Sequence, residues 1–362
     1  LLYNSLAHRT TWLRSDFQRF IDLVQELGIP YITEATVIRI TEDKQVYAAA
    51  PKGMVEIQAK AVILTMGCRE RTRGAISIPG NRPAGVYTAG TAQAYINLYN
   101  KMVGRRVVIL GSGDIGLIMA RRMTLEGAKV EAVFEIQPYA NGLARNIEQC
   151  LHDYNIPLYL NHTVTEILGE DRLEGVIVSQ VDEHMQPIPG TEKRYSCDTL
   201  VLSVGLIPEN ELSEGAGALL DSRTKGAVVD ENYQTTVSGV FAAGNVLHVH
   251  DLVDFVSLEA EALADAVADY VEGTEFEPCC LTVETDGMVG YTVPQKISGT
   301  KSFRLSMRVR RPMKNCSVQV YQGENLVKEL KLKKALPAEM IQIPIDGKKL
   351  NTQQGLEVKV VC

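Results

Sequence analysis

The sequence predicts an α/β chain of two nested open-sheet domains followed by an antiparallel β-sandwich, and three observations carry that prediction. Residues 106–135 read as a strand, a glycine-rich turn, a helix and a second strand. The order of elements after that unit recurs nearer the N-terminus. Past Pro278 the helical pattern vanishes and short alternating runs take over.

The first observation is the most specific. Residues 107–110 (VVIL) form a continuous apolar run suited to a buried parallel strand, and Gly111, Gly113 and Gly116 follow at GxGxxG spacing. Gly111 permits a tight turn, Gly113 lets a pyrophosphate approach the backbone, and Gly116 lets the helix pack closely. The helix is expected to bury Ile115, Ile118, Met119, Met123 and Leu125 and to end toward Gly127. Its first turn, with Asp114 and Ile115, offers unsatisfied N–H groups and about half a positive charge to the phosphates. The second strand, 129–134, ends in Glu135, placed to accept hydrogen bonds from an adenosine ribose. That favours NAD, because a 2′-phosphate at about 4 Å meets roughly 4 kcal/mol of repulsion per unit charge at an effective dielectric of about 20. This is a Rossmann-like fingerprint in its proper strand and helix context.

The second observation is a repeat. After the glycine-rich unit come a helical stretch at 146–154, Asn155-Ile156-Pro157, short strands at 164–168, 173–180 and 193–196, and a buried strand at 199–204 stopping at Gly205. Earlier in the chain the order is a helix at 16–27, Gly28-Ile29-Pro30, strands at Thr36–Ile40, Gln45–Ala50 and 55–59, and a buried strand at 61–64 followed by Thr65-Met66-Gly67. The first copy lacks a glycine-rich unit of its own. By analogy with the second copy such a unit should precede Leu1, and the expectation is a chain that continues a longer protein. Gly205 to Pro208 (GLIP) closes the second copy and should lie near bound NAD, by the crevice rule for open parallel sheets.

One module inserted into another is the plan of two-dinucleotide flavoproteins, so the first domain should resume late. Residues 226–230 (GAVVD), Thr235, Thr236 and 239–245 (GVFAAGN) resemble the closing flavin motif of that superfamily, with a helix at 257–270. Asn245 stands where the superfamily usually has Asp, and its amide can still hydrogen-bond a hydroxyl. More closely, TMGCRERTRGAISIPGNRPAGVYTAGTAQAYIN (65–97), SVGLIPENELS (203–213) and FAAGNVLHVHDLVDFVS (241–257) resemble a bacterial family. These are the FAD-dependent NAD(P) oxidoreductases encoded beside an FAD-linked glycerol-3-phosphate dehydrogenase, with relatives among opine-oxidase and hydrogen-cyanide-synthase subunits. The resemblance implies FAD in the full-length protein, with Thr65, Gly67, Gly244 and Asn245 at the flavin. It also implies NAD(H) as the second cofactor and, for a partner, a flavoprotein subunit that oxidises the substrate. Membership of an amino-acid or opine-oxidising complex, and a non-catalytic electron-transfer adaptor, stay open. Thioredoxin reductases share the layout, but no CxxC pair occurs here, and thiol exchange needs both an attacking and a resolving cysteine.

The expected domains are therefore 1–103 with 226–278 for FAD, 104–225 for NAD, and 279–362 for the small β-sandwich, read as a packing or assembly module. The chain has 362 residues, 45% of them hydrophobic, enough for two to three domains. A net charge of −7 argues against a nucleic-acid partner, and no apolar stretch is long enough to span a bilayer, so a cytoplasmic protein is expected, with a homo-oligomer left open. Seven cysteines with no metal-ligand spacing read as reduced thiols; Cys279-Cys280 reads as packing, and Cys68 as buried or in reach of a flavin. Hydride transfer asks for orientation more than for an acid–base pair, so no catalytic residue is named. His248 and His250, with Asp251 and Asp254, follow the flavin motif, read as an ordinary hydrogen-bonded loop with a flavin-side proton donor or ring contact left open. No third ligand is indicated beside them, so no metal is expected. Arg69, Arg71 and Arg73 around Glu70 form a basic loop open to a phosphate, a partner protein or solvent.

Overall fold

The computed structural model describes residues 10–362, with side chains from residue 18 onward, and divides the chain into two compact units. One comprises the chain up to Met66 together with Glu209–Pro278; the other comprises Gly67–Pro208 together with Cys279–Cys362.

The second unit contains a five-stranded, all-parallel sheet ordered Val86–Thr88, Thr199–Leu202, Arg106–Leu110, Lys129–Glu135, Leu158–Leu160. Residues 107–110 are buried, as a strand covered on both faces requires. On one face pack the helices Ala89–Tyr99 and Asp114–Leu125, which bring Ala89, Ile96, Leu117, Met119 and Met123 against Val107, Ile109 and Val133. On the other lies an antiparallel sheet of His162–Leu168, Gly175–Gln180 and Lys193–Tyr195, whose Val164, Ile167, Val176 and Val178 meet Val108, Leu110 and Phe134. Full burial of a side chain such as Phe134 contributes about 1.5–3 kcal/mol.

Two expectations about this unit change. Residues 67–103, read from sequence with the first domain, fall in the second unit: Val86, Tyr87 and Thr88 pair with Leu200, Val201 and Leu202 of the parallel sheet, and the helix after them buries Ala92 and Ile96 in the same core. The domain change thus falls at Met66/Gly67 rather than at 103, and at Pro208/Glu209 rather than at 225. Asn210 explains the second shift, because its Nδ2 donates to the carbonyls of Lys225 (2.8 Å) and Val246 (2.9 Å) and holds residues 209–215 in the first unit. The helix stripe also turns: Leu125 is 54% exposed, while Gly116, Leu117 and Ala120 are buried, because the helix leans on the sheet through its Gly116 side.

The first unit holds the helix Thr10–Glu26, an antiparallel sheet of Thr36–Ile40, Gln45–Ala50 and Gly53–Gln58, and a two-stranded parallel pair, Val62–Leu64 with Val240–Ala242. Residues 226–230 make only isolated bridges, Leu220 to Ala227 and Val229 to Thr235. The helix Val253–Glu272 starts four residues earlier than the sequence suggested and packs Leu263 against Phe241.

Residues 279–362 form two sheets. One runs Lys296–Ile297, Leu281–Thr285, Leu356–Val361, Met313–Gln322, Asn325–Ala335; the other runs Val289–Val293, Phe303–Val309, Ile341–Ile345. Pairing is antiparallel except between Leu281–Thr285 and Leu356–Val361, which run parallel. The core is built of alternating residues such as Leu305, Met307 and Val309 against Val318, Val320, Val358 and Val360. No helix among the described residues is long and apolar enough to cross a membrane.

Candidate functional site

The glycine-rich turn sits at the C-terminal edge of the parallel sheet, and each glycine has a separate physical reason. Gly111 has φ +99°, and a Cβ there would stand 2.1 Å from the Ser203 carbonyl oxygen. A Cβ on Gly116 would meet Ser203 Cβ at 2.7 Å and the Gly111 carbonyl oxygen at 2.8 Å. Both glycines therefore serve close packing against the end of the Thr199–Leu202 strand. Gly113 differs: with φ −65° its backbone suits any residue, and the nearest atom to its Cβ position is Ser203 Oγ at 3.7 Å. Nothing in the protein around it requires glycine at this position. It caps the helix Asp114–Leu125 without a side-chain hydrogen bond, so the first-turn N–H groups have no capping partner, save Gly116 N, which donates to Ser203 Oγ at 3.0 Å.

Glu135 is 3% exposed and closely engaged. Its Oε2 accepts from Ser112 N (2.9 Å) and Ser112 Oγ (2.6 Å), and its Oε1 from Gln137 N (3.0 Å). A carboxylate has about four acceptor positions, so one remains, on Oε1. Asp114 faces the same loop: its Oδ1 accepts from Leu143 N (2.8 Å) and Asn146 Nδ2 (2.7 Å), and Ser112 Oγ also receives Asn141 N at 2.9 Å. The carboxylate of Asp114 thus fastens residues 141–146 to the turn. Ile115 packs at the rim of the helix-side core.

Ser112, Ser203 and Asn146 were missed in the sequence. Ser203 had a signal in hindsight, as the first polar residue after the buried strand Thr199–Leu202.

Gly205 (φ +99°) and Pro208 lie where the chain leaves the sheet. The strand Leu206–Pro208 pairs antiparallel with Cys68–Glu70, and Arg71 N donates to the Gly205 carbonyl at 3.0 Å. This ladder revises the basic loop. Glu70 Oε1 accepts from Gly90 N at 2.7 Å, in the first turn of the helix Ala89–Tyr99. Arg73 spends its guanidinium on the carbonyls of Ile78 (3.1 Å), Gly80 (2.6 Å) and Asn81, so it is a clamp on that loop rather than an open anion site. None of the seven cysteines is disulfide-bonded, and Cys68 is half-buried on its strand.

In the first unit Thr65 follows the strand Val62–Leu64 and is exposed, and Ala243 N donates to the Leu64 carbonyl at 3.2 Å beside it. Gly244 has φ +75°, with nothing nearer its Cβ position than Val256 Cγ1 at 3.9 Å. Asn245 Oδ1 accepts from His250 N at 3.0 Å, so its amide oxygen shapes the 245–250 turn. Gly67 opens the second unit with φ +77° and empty space at its Cβ position.

Behind Gly244 lies a polar centre that the sequence concealed. Glu259, 4% exposed, accepts Gly244 N on Oε1 at 2.6 Å, while its Oε2 lies 2.7 Å from His248 Nε2 and 3.4 Å from His250 Nε2. Burial raises the pKa of this carboxyl, but the His248 hydrogen bond and the nearby His250 outweigh it and hold Glu259 well below the usual carboxylate range. Glu259, Leu263 and Ala266 share the buried stripe of their helix at i, i+4, i+7 spacing, so a carboxylate in a core-facing position was a usable sign.

Comparison with known proteins gives one consistent answer. The profile of the pyridine nucleotide-disulphide oxidoreductases matches residues 3–264. Apoptosis-inducing factor 3 of Homo sapiens is 26% identical over 227 residues, 61% of this chain and 34% of that protein. One of the opine oxidase subunits of Agrobacterium tumefaciens (strain Ach5) is 26% identical over 263 residues, 66% of this chain and 51% of that protein. The crystal structure of T. acidophilum thioredoxin reductase superposes with a TM-score of 0.54 at 26% identity, covering 66% of this chain and 74% of that one. The chain spans between about a third and a half of the length of these curated relatives.

Proposed function

Since the chain belongs to the pyridine nucleotide-disulphide oxidoreductase family, a family of FAD- and NAD(P)-binding oxidoreductases, we propose that it exchanges a hydride between NAD(H) and FAD, on behalf of a partner protein that oxidises a small substrate such as glycerol 3-phosphate. The observation that carries the reading is Gly113: a glycine with ordinary backbone angles and only ordinary van der Waals contact with Ser203 at its Cβ position, flanked by two glycines that packing does require.

NAD fits the residues of the second unit. Gly111 and Gly116 fold the turn, Gly113 leaves room for the pyrophosphate, and the N–H groups after it, with Asp114 and Ile115, hold the charge. Glu135 offers its remaining acceptor position to a ribose hydroxyl and repels a 2′-phosphate. Gly205 and Pro208 would border the nicotinamide end. Within the first unit FAD fits Thr65 at the close of the first strand set, and Gly244 and Asn245 at the close of the second, through a glycine turn and an amide able to meet a hydroxyl. The two cofactors supply the hydride chemistry themselves when bound. The chain's own contribution is orientation of the two cofactors and exclusion of water.

The opine oxidase likeness favours a second reading of the partner, a protein that oxidises an opine or amino acid. The 362 residues hold no CxxC pair, which supports hydride exchange over dithiol exchange as the reading of these residues despite their resemblance to a thioredoxin reductase structure. Anaerobic addition of NADH to the FAD-loaded protein tests the core of the proposal, with rapid bleaching of the flavin band expected. Intact flavin colour at saturating NADH overturns it. With the partner present, NAD reduction driven by glycerol 3-phosphate or by an opine identifies the substrate class.

A further inference from the structure

His248, His250 and Glu259 converge as no packing requirement demands. The two imidazoles stand edge to face, 4.3 Å between centroids and 61° between planes, and both turn Nε2 toward the same carboxylate oxygen. Their side chains are 0%, 1% and 3% exposed in that order. Neither ring nitrogen of His250 has a partner in good hydrogen-bond geometry, Nε2 lying 3.4 Å from Glu259 Oε2, although a buried polar atom ordinarily finds one. The Glu259 carboxylate is held from behind by Gly244 N on its other oxygen.

We propose that His248, His250 and Glu259 are the protein ligands of a divalent transition-metal site of the zinc class, lying wholly within the first unit. Their three candidate ligand atoms lie within 4.8 Å of one another. Zinc bonds of about 2.0–2.2 Å to nitrogen and oxygen put tetrahedral neighbours roughly 3.3 Å apart. The 3.4 Å between His250 Nε2 and Glu259 Oε2 already matches, and the 2.7 Å between His248 Nε2 and the same oxygen must open by about half an ångström. Two neutral imidazoles and a carboxylate are a borderline donor set that suits zinc over calcium or magnesium. The Gly244 amide is the outer contact that fixes a ligating carboxylate, and it links the site to the turn that ends in Asn245. A water completes the fourth position. An ion here neutralises the buried carboxylate.

The site needs neither NAD nor FAD, so its test stands apart from that of hydride transfer. The full-length protein is stripped with a chelator and titrated with Co²⁺ as a spectroscopic probe. One Co²⁺ per chain is expected, with the visible bands of a tetrahedral ion, displaced by Zn²⁺. His250→Ala should weaken binding by about tenfold or more, while His152→Ala, at an exposed histidine paired with Glu148, leaves it unchanged. Nitrogen-15 histidine spectra of the unmutated protein give a readout that no folding defect can confuse: two of the six imidazoles should shift with Zn²⁺, both at Nε2. Absence of stoichiometric binding, shifts confined to exposed histidines, or two imidazoles that only titrate with protons overturns the proposal.

Discussion

With Oε2 held by Ser112 and Oε1 by Gln137 N, Glu135 ties the glycine turn to the strand end beside it. Glu135→Ala is therefore expected to do two things. Three orphaned donors lower stability by about 1–3 kcal/mol, read from the denaturation midpoint. Loss of the charge lowers the NADH over NADPH preference by roughly tenfold, about 1.4 kcal/mol, in paired affinity titrations. An unchanged preference with lowered stability leaves the clamp and removes the ribose role. Cysteine chemistry gives a pH-dependent prediction. Burial pushes the Cys150 thiol up to about 11 and the Cys197 thiol up to about 12. A raised thiol pKa means the reactive thiolate is withheld until pH approaches those values. At about pH 8 a disulfide reagent should modify the solvent-exposed Cys280 and Cys362 quickly and leave the buried Cys150 and Cys197 unmodified until the chain unfolds. Fast labelling of Cys197 in the native state contradicts the assignment.

The strand, turn and helix of 106–125 separate a folding role from a binding role within one motif. Gly116→Ala puts a methyl at 2.7 Å from Ser203 Cβ and 2.8 Å from the Gly111 carbonyl oxygen, so it should destabilise by about 1–3 kcal/mol through overpacking. Gly113→Val meets no such neighbour and keeps a permitted backbone, so its melting temperature should stay near that of the unmodified chain while NADH affinity falls at least about tenfold. Isothermal titration beside thermal melts separates the two. Equal binding by the valine variant refutes a phosphate at this turn. In the first unit, the exposed apolar side chains Phe20, Leu27, Tyr31, Ile32, Ile38 and Ile63 show elements whose apolar side is only partly covered by the described residues.

At the scale of the molecule, the segment 279–362 keeps its core to itself, since every buried residue of that cluster lies between Val283 and Val360. Expressed alone it should fold cooperatively, with a dispersed amide spectrum. A collapsed spectrum shows that its stability comes from the rest of its unit. Sequence alone determined much of this protein. The apolar run 107–110, the three glycines and Glu135 are local patterns, and each follows from steric or hydrogen-bonding rules acting within a few residues. The alternating runs of the sandwich past residue 302 were legible for the same reason, though the strands Leu281–Thr285, Val289–Val293 and Lys296–Ile297 were not, nor was the parallel pairing of the first, because one strand's pattern does not name its neighbour. What only the tertiary structure decided are relations between distant residues. Val86–Thr88 joins the sheet beside Thr199–Leu202 and moves the domain boundary to Met66. Arg73 is consumed by loop carbonyls, Ser203 abuts Gly116, and Glu259 reaches His248 across a helix turn and a loop. Periodicity says which face of an element is buried. Which partner it meets there depends on packing that closes over tens of residues, and that is where the third ligand beside His248 and His250 was hidden.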